Sequence, residues 1–239
     1  MGYSCINTAR SALSIILKPI DGYDFGKHPI IKRVLKGVFK ERPSLPRYTV
    51  IYDSDKVLRF LKSLPNWDSI SLKWLTFKLV TLLAILSGHR CQTLNTLSLD
   101  FMDLSGERVT FYIPNILKNT TPSFHAKPLH FPSFAQDESI CPVRNVVEYI
   151  KATAKLRKSR SLIISYSTLT RVTTQTIRRY VVGTLEASGI NVKTFSAHST
   201  RHAATSGMAA NSIPLQEILS AGGWKSEHSF RKHYDLKIL

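Results

Sequence analysis

Cysteine is scarce in this chain, and the three that occur, Cys5, Cys91 and Cys141, stand far apart with no CxxC pair. That spacing leaves neither a disulfide framework nor a zinc ribbon to build on, and a reducing compartment fits it. Long apolar runs are missing too. The most apolar stretch, LVTLLAILSG between Lys78 and His89, falls well short of the ~20 residues that a bilayer span needs, so it reads as a buried helix and no membrane partner is expected. Met1 to Leu17 contains Arg10 and shows no long apolar region behind a basic start, which argues against a signal peptide. No internal repeat or low-complexity tract appears.

Negative charge is the other shortage. Sixteen Asp and Glu face thirty-three Lys and Arg, a formal net charge of +17 over 239 residues. A chain this basic seeks polyanions, and nucleic acid is the expected partner. The cations are spread through KHPIIKRVLKGVFKER, KATAKLRKSR, TIRRY and SFRKHY rather than gathered in one tail, which predicts a folded basic surface. With 43% hydrophobic residues the chain can bury one good core, or a core with a small satellite.

Periodicity places the elements. SCINTARSALSIIL carries apolar residues at helical spacing after Ser4 and stops before Pro19. HPIIKRVLKGVFKER starts a helix at Pro29, with Ile31, Val34, Leu35, Val38 and Phe39 on one side and Lys32, Arg33, Lys36 and Lys40 on the other. The two prolines of RPSLPRY mark a linker around residues 42 to 48. Beyond it, helices are predicted near 54–64 and 71–87, with a short one after Arg90. A hairpin follows, turned at Ser105-Gly106, in which Val109, Phe111 and Ile113 alternate with Thr110 and Tyr112. PVRNVVEYIKATAKLRK reads as a helix with Pro142 in its first turn, SLIIS as a short strand, and TTQTIRRYVVGTLEASG as a helix capped by Thr173 or Thr174 and ended by Gly189. The last forty residues read as three short helices. The fold class is therefore α+β: a mostly helical domain with a small antiparallel sheet over residues 48–239, preceded by two helices of another unit over 1–47.

Six residues could carry chemistry: Arg90, Lys118, His198, Arg201, Trp224 and Tyr234. A phosphodiester repels nucleophiles and gathers charge on its nonbridging oxygens in the transition state, and fixed cations answer both problems. Arg90 and Arg201 are candidates because a guanidinium binds two oxygens at once and keeps its proton. The departing sugar oxygen needs a proton, for which Lys118 after the strand VTFYIPN is the first choice and Lys127 the second. Tyr234 offers a phenol nucleophile, which needs His198 or the arginines to help shed its proton. Taken singly, each arginine reads as a surface ion pair, each loop lysine as a solvated charge, and Tyr234 as a packed aromatic. The pairs His125/His130 and His228/His233 form no recognised metal-ligand set.

The combination is more specific than its parts. HSTRH, then GGW, then FRKHY resembles the C-terminal block of the tyrosine recombinase (phage integrase) family, and LSGHRCQTLNTLSLDFMDL looks like that family's first arginine box. The resemblance covers nearly all of residues 48–239, and AHSTRHAATSGMAANSIPLQEILSAGGWKSEHSFRKHYDL is most similar to recombinases of DIRS-like eukaryotic retroelements. It implies a tyrosine recombinase catalytic domain behind the last helices of a core-binding clamp. It further implies that Arg90 and Arg201 clamp the scissile phosphate, Lys118 protonates the 5′ oxygen, His198 assists proton transfer, Trp224 offers its indole N–H to a nonbridging oxygen, and Tyr234 attacks. The implied product is a 3′-phosphotyrosyl intermediate, formed without metal or nucleotide cofactor. The implied partners are double-stranded DNA and further copies of the chain, up to a tetramer, and the implied location is nuclear.

Three departures accompany the resemblance. Thr93 stands where many members carry an acid, and Trp224 and Tyr234 are ten positions apart rather than nine. With fewer than fifty residues before the linker and five after Tyr234, the parts that hold partners are expected to be short, as in a fragment or decayed copy. Two other readings share the residues: a type IB topoisomerase-like enzyme that nicks and reseals, and a DNA binder that keeps the basic face but no longer cuts.

Overall fold

The computed structural model describes residues 1–43, 48–116, 125, 127–223, 227 and 237–238. It divides into two compact units, Met1–Tyr48 and Thr49–Leu239.

The first unit is a helical hairpin. Helix α1 (Tyr3–Ile16) begins one residue ahead of the expected Ser4 cap, at a Gly2 that makes no side-chain cap bond. Helix α2 (Pro29–Glu41) starts at Pro29 as predicted, where the missing proline N–H costs nothing and the His28 ring accepts from Ile30 N–H. The two helices meet through the Tyr3 and Phe39 rings, 5.1 Å apart and edge to face. The apolar side of α2 is only partly covered: Leu35 is buried, whereas Val34 and Phe39 stay 54% and 48% exposed. One neighbouring helix cannot cover a stripe that wide.

The second unit is built around one helix. After strand β1 (Val50–Ile51) and helix α3 (Ser54–Ser63) comes α4 (Leu72–Ser87), capped by the Ser71 hydroxyl and buried along nearly its whole length. Helices α6 (Pro142–Thr153), α7 (Thr174–Ala187) and α8 (Ser199–Ala210) pack around α4, which explains why its residues are apolar on every side. Gly183 lets α7 approach closely, since a Cβ there would lie 2.8 Å from the Phe77 ring. Between α4 and α6 run the short helix α5 (Cys91–Leu94) and an antiparallel sheet of order β2 (Met102–Leu104), β3 (Arg108–Phe111), β4 (Leu129–Pro132). Val109 pairs with Phe131 and Phe111 with Leu129, so four apolar side chains share the buried face. Helix α9 (Leu215–Gly222) packs Ile218 and Leu219 against Met208 of α8.

Three expectations are corrected. Residues 161–165 form no strand, although Leu162, Ile163 and Ile164 are buried. Their polar groups go elsewhere: Leu162 N–H donates to Leu97, while the Tyr149 hydroxyl accepts from Ile164 N–H and donates to Ile164 C=O. The β3 strand stops at Phe111, so Ile113 lies beyond it, and Tyr112 N–H turns instead to the Phe101 carbonyl. Third, Lys237–Ile238, expected to be helical, is a strand (β5) that pairs in parallel with Val50–Ile51. No described helix is long and apolar enough to cross a membrane.

Tyr149→Phe should lower the unfolding free energy by about 1–3 kcal/mol in urea titrations, because it strands both the N–H and the C=O of Ile164 in the core. Lys78, 2% exposed in the middle of α4, has its pKa pushed down by burial against a weaker pull from Asp137. Lys78→Met should therefore raise stability by about 1 kcal/mol at pH 7. That gain should shrink as pH climbs toward the ordinary lysine range, where the wild-type ammonium no longer has to be buried charged.

Candidate active site

Three of the six candidate residues, Arg90, His198 and Arg201, fall within the described chain; Lys118, Trp224 and Tyr234 lie outside the described residues. Lys127, the alternative acid, is exposed two residues before β4.

Helix α4 ends at Gly88, whose left-handed backbone (φ 59°, ψ 16°) stops the helix and returns an N–H to Ala84 C=O. The chain passes through His89, whose N–H is held by the Ser87 hydroxyl, into Arg90, the N-cap of α5. Arg90 is half-buried, and its carbonyl receives Thr93 and Leu94 N–H. Asn95, at the end of α5, donates to Val172 C=O just ahead of α7, so the arginine rests on a short helix tied down at its far end. Thr93, at the position where an acid was missed, is 6% exposed and packed inward. Cys91, next to Arg90, is no rival nucleophile, since burial pushes its thiol up to about 11.

Helix α8 carries the second cluster. His198 is its exposed N-cap residue and Arg201 lies in its first turn, three positions later and so on the same side. The intervening Ser199 and Thr200 are buried, and Thr200 accepts a hydrogen bond from the Tyr52 hydroxyl at 2.9 Å. Those contacts fix the rotation of α8, leaving His198 exposed at its start and Arg201 buried one turn on. His202 stacks edge-on to His198, with ring centroids 5.3 Å apart at 81°, and orients it from within the helix. His202 was visible in the motif HSTRH but not assigned a role by spacing alone.

Arg201 joins the two clusters. Its guanidinium is 2% exposed, and Nη1 donates to Gly88 C=O at 2.6 Å and to Gly222 C=O at 2.8 Å. One group thus binds the turn that precedes Arg90 and the turn that precedes Trp224. Both of these acceptors are neutral backbone carbonyls. The far end of the chain is anchored nearby, because β5 pairs with β1 and both strands pack on α8. Among the described residues, no three His, Cys, Asp or Glu side chains gather as metal ligands.

The phage integrase family model matches residues 52–237. The chain belongs to the phage integrase family. No curated protein matches the sequence. Among solved structures, the XerH site-specific recombinase, bound to a palindromic difH substrate in a post-cleavage complex, superposes with a TM-score of 0.58 at 14% identity, covering 97% of this chain and 68% of that one. The Tn1549 transposon integrase (residues 82–397) in complex with circular-intermediate DNA gives 0.59 at 11% identity, covering 98% and 75%. A lambda integrase (75–356) dimer bound to a COC′ core site gives 0.51 at 14%, covering 98% and 80%. At these identities the likeness is one of fold: this phage integrase family member has the mostly helical architecture with a small antiparallel sheet that the tyrosine recombinase catalytic domain shows.

Arg201→Met should cost about 2–4 kcal/mol in urea unfolding, since two buried carbonyls lose their donor. Arg201→Lys should cost less than Arg201→Met, because an ammonium keeps donors for the two carbonyls that Nη1 holds, though from a shorter side chain.

Proposed function

We propose that this protein cuts and rejoins DNA strands through Tyr234. The observation that carries the proposal is the buried Arg201, which binds the Gly88 and Gly222 carbonyls at once and so gathers the first arginine box, the HSTR helix start and the end of α9 that leads into Trp224 around one guanidinium.

In this reading Arg90 and Arg201 neutralise the nonbridging oxygens, supplying the charge a metal ion would otherwise supply. The Tyr234 phenolate attacks phosphorus, the bond to the 5′ oxygen breaks, and Lys118 gives that oxygen its proton, with Lys127 the second candidate. His198 takes up the Tyr234 proton, and Trp224 donates its indole N–H to the phosphate. The phosphotyrosyl bond conserves the energy of the bond broken, so a 5′ hydroxyl from a partner strand can reverse the step without a cofactor.

Double-stranded DNA is the substrate, supported by the +17 charge and by the DNA held in the XerH, lambda and Tn1549 complexes. Residues 1–47 add a second set of DNA contacts through the basic helix α2, and several copies assemble on one site. The wording of residues 197–236 further supports a mobile element of the DIRS-like retroelement kind, acting in the nucleus.

The test uses a library of duplexes with randomised cores and a nick beside each candidate site, so that a short cleaved strand diffuses away and the covalent intermediate is trapped. Wild-type protein should form adducts that survive denaturant, Tyr234→Phe should form none while keeping salt-sensitive binding, and sequencing the trapped strands should yield the target. Binding with no wild-type adduct would identify an inert relative, and an adduct that survives Tyr234→Phe would remove that tyrosine as nucleophile. Strand exchange between two labelled duplexes of the recovered target separates recombination from nicking and resealing.

A further inference from the structure

Arg201 is one of two ties between the turn that leads into Arg90 and the turn that leads into Trp224. The other is His89. A Cβ placed on Gly223 would lie 3.1 Å from His89 Cε1 and 3.8 Å from both Nδ1 and Nε2. The imidazole therefore presents its Cε1 edge to the backbone of Gly223, with its two nitrogens flanking the contact. Gly223 has φ +64°, a conformation that side chains resist, and the ring fills the space a side chain would take. Behind the ring the backbone is held just as firmly. His89 N–H donates to the Ser87 hydroxyl, and Gly88 lies against α8 so closely that a Cβ there would meet Thr205 Cγ2 at 3.3 Å.

We propose that His89 is a positioning residue that sets the Gly222–Gly223 backbone, the residues that lead into Trp224 in sequence, relative to the turn that leads into Arg90. Arg201 Nη1 fixes the separation of the two turns by donating to both carbonyls. A single bridging group still leaves the Gly222–Gly223 backbone able to pivot about that hydrogen bond. The His89 ring closes the pivot by packing on the next residue along, one position before Trp224. A flat, edge-on ring suits that place, because it makes contact with bare backbone that a side chain on Gly223 would block. The neighbouring glycine is then explained by the ring as well as by its φ angle.

The inference rests on the proposed cleavage by Tyr234, and one readout keeps the two separable. The chain has three tryptophans, Trp67, Trp74 and Trp224, so protein labelled with 5-fluorotryptophan should give three 19F resonances, of which Trp224→Phe removes one. His89→Ala and Gly223→Ala should each displace or broaden that resonance and leave the other two in place, whether or not the protein cleaves DNA. On the nicked duplexes, each variant should slow adduct formation about 10–100-fold while changing DNA affinity less than about 2-fold. The double variant should be no slower than the worse single one, and His89→Gln, which keeps a planar polar group, should recover part of the rate. An unmoved Trp224 resonance would overturn the proposal. So would a loss of affinity that parallels the loss of rate, or single effects that multiply in the double variant, since independent sites multiply. Should His89→Ala fail to fold, Gly223→Ala and His89→Gln carry the same comparison.

Discussion

A charged group that is almost wholly removed from water must be held by polar partners or it destabilises the fold, and Arg201 meets that demand with two backbone carbonyls from distant parts of the chain. Gly88 lies 113 positions before it and Gly222 lies 21 after it. The rest of the second unit can be understood as the scaffold for that contact. Helix α4 must end where it does, because only its left-handed last residue presents the Gly88 carbonyl to α8. Helix α9 ends at Gly222, whose carbonyl takes the other bond, and the left-handed residue there is the next one, Gly223. The Tyr52–Thr200 bond and the buried Ser199 hold α8 in rotation, so that Arg201 turns toward both carbonyls and His198 stays at the open end.

This arrangement couples stability to chemistry. The cation that the proposed mechanism needs at the phosphate is also the cross-link among three loops, so the site cannot be assembled loosely. Preorganisation of this kind is what an electrostatic site requires, since donors that must reorient during the reaction lose much of their advantage. The two-stranded pairing of β1 with β5 plays a similar part at the other end of the C-terminal segment, bringing it back onto α8.

Much of this was legible beforehand, element by element. The Pro29 start of α2, the Ser71-to-Gly88 limits of α4, the Ser105-Gly106 turn and the Thr173 cap of α7 are each written in local chemistry, and each stands where it was read. The segment SLIIS misled because burial and β-propensity do not make a strand without a neighbouring ladder. Its N–H and C=O groups found the Tyr149 hydroxyl and the Leu97 carbonyl instead. Strands β1 and β5 carry two residues each, too few to show a period, so only their pairing reveals them. His89 was passed over for a similar reason, as the residue between a turn glycine and an arginine has no pattern that announces a contact with Gly223.

By itself, the sequence determined which residue types were available and in what order: two arginines, an imidazole, an indole and a phenol at spacings that mark a phosphoryl-transfer family, on a strongly basic chain. Those are properties of composition and local spacing, and they survive without a fold. Tertiary structure alone decided that Arg201 is a buried bridge rather than a surface cation, that His202 backs His198, and that His89 meets Gly223. Each of these depends on two segments far apart in the chain approaching to within a hydrogen bond or a van der Waals contact. Such approaches are set by the packing of α4, α8 and α9 as rigid bodies, and no local pattern encodes them.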